Sequence, residues 1–184
     1  MIEKIVVARN NKYGIGYKGD IPWFIKEDLL HFKEQTINQI VVMGKDTYLG
    51  MCSKFNKEVG SVVLSNRFNI VISKTLKEEG FTNKPGIAFF NSIPEFRRYI
   101  KTEAIKAKLY KSGISEIIYM GGEGIYSEAL QYATELVLTE VETSHEVDRF
   151  FVFDKSKWKL RSVKPIETIS GINCSVISYT TSNV

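Results

Sequence analysis

Only two cysteines and two histidines occur among the 184 residues of this chain. Cys52 and Cys174 stand far apart, without the paired spacing of a zinc site or a disulfide framework. No metal is therefore expected, and a reducing cytoplasm is the simplest compartment. Proline is scarce as well, with four residues. No stretch is long or polar enough to serve as a linker, so one domain over residues 1–184 is expected. No apolar run approaches the ~20 residues of a membrane-spanning helix. The opening MIEKIVVA has the length of a buried strand and lacks the basic start and small-residue cleavage site of a signal peptide. A strong excess of one charge is also missing: 25 basic and 21 acidic residues leave a net charge of +4. Lys101, Lys106, Lys108 and Lys111 cluster, but no aromatic residues interleave with them, which makes them the wet side of a helix rather than a nucleic-acid surface. Neither nucleic acid nor a membrane is expected as a partner.

What is present is a regular alternation. Short apolar runs predict strands over 2–8, 40–43, 69–73, 87–89, 114–120, 136–141, 150–153 and 174–180. Several are dominated by Ile, Val and Tyr, as strands buried on both faces are. Helical patterns fit 25–36, 45–51, 93–111 and 124–131, and Ser92 with Glu95 has the spacing of a capping box. Helices inserted between buried strands predict an α/β fold: a mainly parallel central sheet of about eight strands, helices on both faces, and an antiparallel C-terminal edge where helices cease to intervene. Residues 52–65 are expected as a surface loop, and residues 182–184 are expected to fray.

Three segments combine residues that can carry chemistry. In GIGYKGDIPWFIKEDLLHF, from Gly14 to Phe32, a glycine-punctuated loop runs into Pro22-Trp23 and then into a helix. Asp28 and Phe32 are four apart and share a helical face, offering a carboxylate beside an aromatic ring, an arrangement suited to a flat, nitrogen-rich heterocycle. An acid near a helix start also suits the helix dipole for structural reasons alone, and Trp23 and Phe32 also suit a plain core. At the edge of an apolar stripe, however, the Asp28 carboxyl is expected to have a raised pKa. In VVMGKDTY, Gly44 ends a strand and Lys45, Asp46 and Thr47 open a helix, whose exposed N–H groups make an anion site; a solvated Lys45 is the plainer alternative. In IIYMGGEGIY, Gly121 and Gly122 at a strand end allow close backbone approach to a ligand before another helix starts.

Together these segments resemble the dihydrofolate reductase family, and the resemblance covers nearly the whole chain, thinning over 75–115 and after Lys159. It implies reduction of 7,8-dihydrofolate to 5,6,7,8-tetrahydrofolate with NADPH as cofactor, and a monomer that antifolate inhibitors can block. Asp28 stands at the buried acid that pairs with the pterin ring, and Thr139 at the hydroxyl supporting it. Val6, Val7 and Ala8 correspond to the strand end lining the pterin and nicotinamide pocket. Phe32, Met51 and Leu64 line the substrate side, and Arg67 binds the carboxylate of the glutamate tail. The loop over the nicotinamide corresponds to residues 14–23, with Ile15, Gly16, Ile21 over the ring, and Trp23. Gly44, Lys45, Asp46 and Thr47 correspond to the cofactor's phosphate grip, although Asp46 stands where a basic residue is commonest. Ser73 and Lys74 would flank the 2′-phosphate. Met120, Gly121, Gly122, Glu123, Gly124, Ile125 and Tyr126 complete the cofactor side, with a cis Gly121–Gly122 peptide implied. Asp148 and Phe151 resemble the family's late Asp and Phe. Asp28 is expected as the pocket's only titratable group, with water admitted by the loop delivering a proton to the pterin N5. The pyrimidine reductases of riboflavin synthesis share this fold and cofactor, but Pro22-Trp23 followed by Asp28 and Phe32 favours folate. A non-catalytic protein keeping the fold is opposed by the intact set of pocket residues.

Overall fold

The computed structural model describes residues 1–181. The parallel part of the central sheet comprises β1 (Ile2–Asn10), β3 (Ile40–Gly44), β4 (Phe68–Ile72), β5 (Ile87–Phe90), β6 (Glu116–Tyr119) and β7 (Glu135–Val141). Two antiparallel strands, β10 (Cys174–Thr181) and then β9 (Trp158–Ile166), extend it beyond β7. The spatial order is β5-β4-β3-β6-β1-β7-β10-β9. Successive residues of one strand fall in different core clusters. Ile5 and Val7, Ile40 and Val42, Ile117 and Tyr119, and Leu136 and Leu138 pack on one face; Val6, Val41, Met43, Ile118 and Val137 pack on the other. That two-residue period, apolar on both faces, is why these segments read as unbroken hydrophobic runs.

Helices connect the strands: α1 (Lys26–Thr36), α2 (Lys45–Lys54), α3 (Lys74–Glu78), α4 (Ile93–Ile100), α5 (Glu103–Lys111) and α6 (Glu123–Ala129). The Ser92 hydroxyl accepts from Glu95 N at 3.2 Å, and Glu95 accepts in return from Asn91 N at 2.6 Å, one residue before the expected capping-box partner. Among the described residues no helix is long and apolar enough to cross a membrane, and no group of three potential metal ligands gathers.

The structure corrects several expectations. The helix expected over 93–111 is two helices, because Thr102 is extended (φ −66°, ψ 142°) and its hydroxyl bonds back to the Tyr99 carbonyl at 2.9 Å. Helix α2 runs on through Cys52, which is buried, so the loop starts later than residue 52. Tyr48 pins that loop, its hydroxyl accepting from Gly60 N at 2.8 Å and donating to Ser61 O at 3.0 Å. Ser73 does not end β4 but caps the unexpected α3, accepting from Leu76 N. Residues 150–153 do not form a strand of the main sheet. Only β8 (Arg149–Phe150) is extended there, and it pairs with β2 (Gly14–Gly16). Phe151 and Phe153 turn inward onto Tyr126, Trp158 and Tyr179. The eighth strand of the sheet is instead β9, whose WKLRSVKPI is mostly exposed and carries three cations, so it lacks the apolar signal of a buried strand. The fraying expected over 182–184 lies outside the described residues.

Candidate active site

Helix α1 begins after Ile25 with no side-chain cap, and its first turn carries Glu27 and Asp28. Asp28 lies near Thr139 on β7. Burial pushes the Asp28 carboxyl above its ordinary range, while a hydrogen bond with Thr139 and the nearby His31 act in the opposite direction. Thr139 is itself buried and lies opposite Ala8 in the β1–β7 register, with Val6 opposite Val137. One helical turn beyond Asp28, Phe32 packs with Met51 and Leu64 against the same core cluster as Val6. Acid, hydroxyl, strand end and apolar wall thus meet as expected. Two further titratable groups stand near Asp28. His31 lies within electrostatic reach of Asp28, and so does the buried Cys174, whose thiol is pushed up to about 11 by burial and then by Asp28, Glu27 and Glu142. Cys174 could not be found from spacing, because the fold alone brings β10 near α1, whereas His31 lies three residues from Asp28 on the same helix.

Arg67 stands at the far end of α1. Its Nε donates to Thr36 Oγ1 at 2.8 Å and its Nη1 to Ser65 O at 2.7 Å. Nη2 is left without a partner among the described residues, so a guanidinium fixed by two bonds keeps one donor free.

The loop over the cleft is tied at both ends. At its start, Asp148 N donates to Gly16 O at 2.9 Å, and Lys18 N donates to the Asp148 carboxylate at 3.0 Å. Its tip is a tight turn, with Tyr17 and Asp20 exchanging backbone bonds of 2.8 and 3.1 Å across Lys18 and Gly19, both at positive φ. At its end, Trp23 is buried with Ile25, Val141 and Cys174, beside Ala8. Ile21 between them is 49% exposed, and Ile15 packs on the core. Asp148, placed by resemblance alone, is therefore the group that holds the loop.

At the other end of the cleft, β3 and β6 are joined where each meets its helix: Met120 N donates to Val42 O and Gly44 N to Gly121 O, both at 2.9 Å. The Gly121–Gly122 peptide is cis, as implied. Neither Gly44 nor Gly122 supplies a side-chain cap, which leaves first-turn N–H groups open. A Cβ at Gly44 would meet Ile125 at 3.3 Å, and one at Gly122 would meet the Thr47 hydroxyl at 3.3 Å. Lys45 Nζ donates to Thr75 Oγ1 at 2.8 Å, and Thr75 lies 3.2 Å from the Ser73 hydroxyl. Lys45, Ser73 and Lys74 are therefore gathered with Thr75, which spacing had not singled out. Asp46 is exposed in the first turn of α2, where an acid favours the helix dipole. Glu123 accepts from Phe150 N at 3.3 Å and lies 3.9 Å from Arg149, so its carboxylate is engaged with β8. Met120, Ile125 and Tyr126 are buried, and the Tyr126 hydroxyl donates to Val6 O at 3.0 Å. Gly124 is exposed, with nothing within 4 Å of where its Cβ would be. A backbone cradle beside hydroxyls and lysines fits the phosphates of a dinucleotide.

A buried acid at one end and open helix starts beside hydroxyls and lysines at the other suit a nicotinamide-dependent oxidoreductase. The family model of dihydrofolate reductase matches residues 1–181. A dihydrofolate reductase of Buchnera aphidicola subsp. Baizongia pistaciae is 34% identical over 163 residues, 88% of this chain and 85% of its own. One from Bacillus subtilis is 31% identical over 150 residues, covering 80% and 74%. Among solved structures, the dihydrofolate reductase of Enterococcus faecalis complexed with NADP(H) and RAB-propyl superimposes with a TM-score of 0.78. It shares 22% identity and covers 98% of this chain and 96% of that one. The chain belongs to the dihydrofolate reductase family, and its reaction is the NADPH-dependent reduction of 7,8-dihydrofolate to 5,6,7,8-tetrahydrofolate.

Proposed function

We propose that Asp28 binds the pterin ring through its amino group and ring nitrogen, with Thr139 orienting the carboxylate and Phe32, Met51, Leu64 and the Val6–Val7–Ala8 strand end forming the apolar walls. The observation that carries this is the placement of Asp28, an acid penalised by burial, beside the buried Thr139 that lies opposite Ala8 at the end of the β1–β7 pairing. Bound NADPH supplies the hydride. Asp28 favours the protonated substrate electrostatically, while the loop ending in Trp23 excludes bulk water and admits the molecule that protonates N5. Lys45, Thr47, Ser73 and Lys74 hold the cofactor phosphates; Gly44, Gly121 and Gly122 let the backbone approach them. The chain acts as a single domain and a monomer in the cytoplasm, and antifolates presenting the same ring edge compete for Asp28. Mixing the protein with NADPH and dihydrofolate tests the whole: the nicotinamide absorbance falls only when both are present, and no fall with dihydrofolate removes this reading.

Arg67 keeps Nη2 free among the described residues for the carboxylate of the glutamate tail, so Arg67→Leu should raise KM for dihydrofolate far more than for a substrate lacking that tail. A charge-assisted bond lost is about ten- to a hundredfold. An equal change for both substrates would mean that another group holds the tail.

Asp46 opposes the lysines near the phosphates. NADPH is therefore expected to be preferred over NADH by a margin that shrinks with salt, since exposed charges are screened over ~10 Å at 0.1 M. Asp46→Arg should tighten NADPH and leave NADH nearly unchanged. Dissociation constants for both cofactors decide it, and equal affinity of the parent protein for the two contradicts this phosphate site.

A further inference from the structure

On the same sheet face as Asp28, but toward the opposite end of α1, lies a cavity of about 450 Å³ between α1 and the β9–β10 edge. Its position follows from register: Val6 lies opposite Val137, Val137 opposite Ser178, and Ser178 opposite Ser162, so these residues share one face. Helix α1 covers the inner part of that face and leaves β9 open. None of the residues assigned to folate or cofactor above lines it.

Its chemistry is cationic. Lys4 is balanced, with Glu116 at 2.9 Å and Glu135 at 3.5 Å. Arg161 and Lys164 have no carboxylate within 4.0 Å among the described residues, and the Arg161 guanidinium is steadied by Nε donating to Thr180 Oγ1 at 3.0 Å. At the inner wall, His31 Nε2 is buried and has no hydrogen-bond partner, the one such side-chain atom among the described residues. A buried polar atom left unbonded is costly, and native structures nearly always give it a partner. The volume is that of a small-molecule site. Two unbalanced cations at the rim, with the His31 side chain in the inner wall, suit a negatively charged oxygen ligand, and suit neither a cation nor a hydrocarbon.

We propose that this cavity is a second binding site, for a small multiply charged oxyanion, either a phosphate ester or a polycarboxylate, held by Arg161 and Lys164 with His31 at its inner end. The sequence conceals it, because its three binding residues come from a helix and from a strand more than a hundred residues later.

Only two histidines are present, so imidazole NMR resonances test it directly, with His145→Gln assigning the pair. The protein is first saturated with NADPH, which occupies the cofactor phosphate site. Pyrophosphate and citrate are then titrated separately at constant ionic strength. The His31 resonance should move saturably with at least one probe while His145 reports only the bulk salt effect. Tighter pyrophosphate binding assigns a phosphate ester, and tighter citrate binding a polycarboxylate. The Arg161→Gln/Lys164→Gln double variant should bind at least about tenfold more weakly, as expected for losing a charge-assisted bond. Both positions are exposed, so the double variant should melt with the parent, and Lys164→Gln alone gives the same test at smaller amplitude. A His31 resonance that moves no more than with sodium chloride, or an unchanged affinity in the variants, overturns the proposal. This readout needs no turnover, so it stands or falls separately from the assignment of Asp28.

Discussion

Asp28→Asn is expected to keep the fold and to lose about ten- to a hundredfold in turnover, the worth of one charge-assisted bond of roughly 1.5–3 kcal/mol realised in the transition state. Asparagine keeps the shape and can still meet Thr139, so the loss isolates the charge. Lower pH should partly restore the variant, because the substrate then arrives already protonated. Stability should move the other way. The folded Asp28 carboxyl titrates above its ordinary value of 3.8, chiefly because burial penalises the charged form. Between the unfolded and folded values the native state binds more protons than the unfolded one, so the Asp28 contribution to stability falls as pH rises through that window. Above it, the ionised acid is a standing cost that asparagine removes. The variant should therefore melt higher than the parent at neutral pH and lose that advantage at pH values below the window. Thermal melts at both pH values, beside turnover, check this. Full activity in Asp28→Asn removes the acid from the centre of the mechanism, and a lower melting temperature at neutral pH contradicts the burial argument.

The same residue marks how far the sequence is legible. Asp28 and Phe32 can be placed on one face from spacing alone, because a helix converts a separation of four into proximity. The parallel strands are legible because burial on both faces writes an unbroken apolar run, as in β3. What is not legible depends on tertiary context. Strand β9 covers an edge, so it needs few apolar residues and looks like a charged loop. Phe150 to Phe153 look like a strand, yet their aromatic rings serve as an anchor that ties the loop at residues 14–23 to the core. The break at Thr102 rests on one side-chain bond to the Tyr99 carbonyl, which competes locally with the helix. In the site, Thr75 is not legible because it meets Lys45 across two helices that only the sheet order brings together.

Gly121→Ala is expected to lower the melting temperature and weaken NADPH together, whereas Gly124→Ala, three residues on, should not lower the melting temperature. Gly121 has φ +111°, a conformation that a side chain rarely adopts. Its added Cβ would lie 3.1 Å from Tyr126 Cε2 and 3.2 Å from Cζ and the hydroxyl. That ring cannot yield freely, since it is buried against Phe151 and its hydroxyl donates to the Val6 carbonyl. Relief must come from the backbone, and the Gly121 carbonyl accepts from Gly44 N at 2.9 Å, so a shift opens the junction where the phosphate cradle forms. The backbone strain alone costs of order 1–3 kcal/mol, and each kcal/mol lowers Tm by about 2–4 °C in a chain of this size. Cofactor affinity should drop by about tenfold or more, because even 1.4 kcal/mol of misplacement reaches that. Gly124 lies within α6, exposed, with nothing near its Cβ position. Alanine there replaces a first-turn helical glycine and should add up to about 0.5–1 kcal/mol. Melting curves for both variants and NADPH dissociation constants for Gly121→Ala give the answer. If Gly121→Ala melts with Gly124→Ala and holds NADPH as the parent does, then Tyr126 is free to move, and the junction of β3, β6 and Val6 is not the rigid frame on which the cofactor site depends.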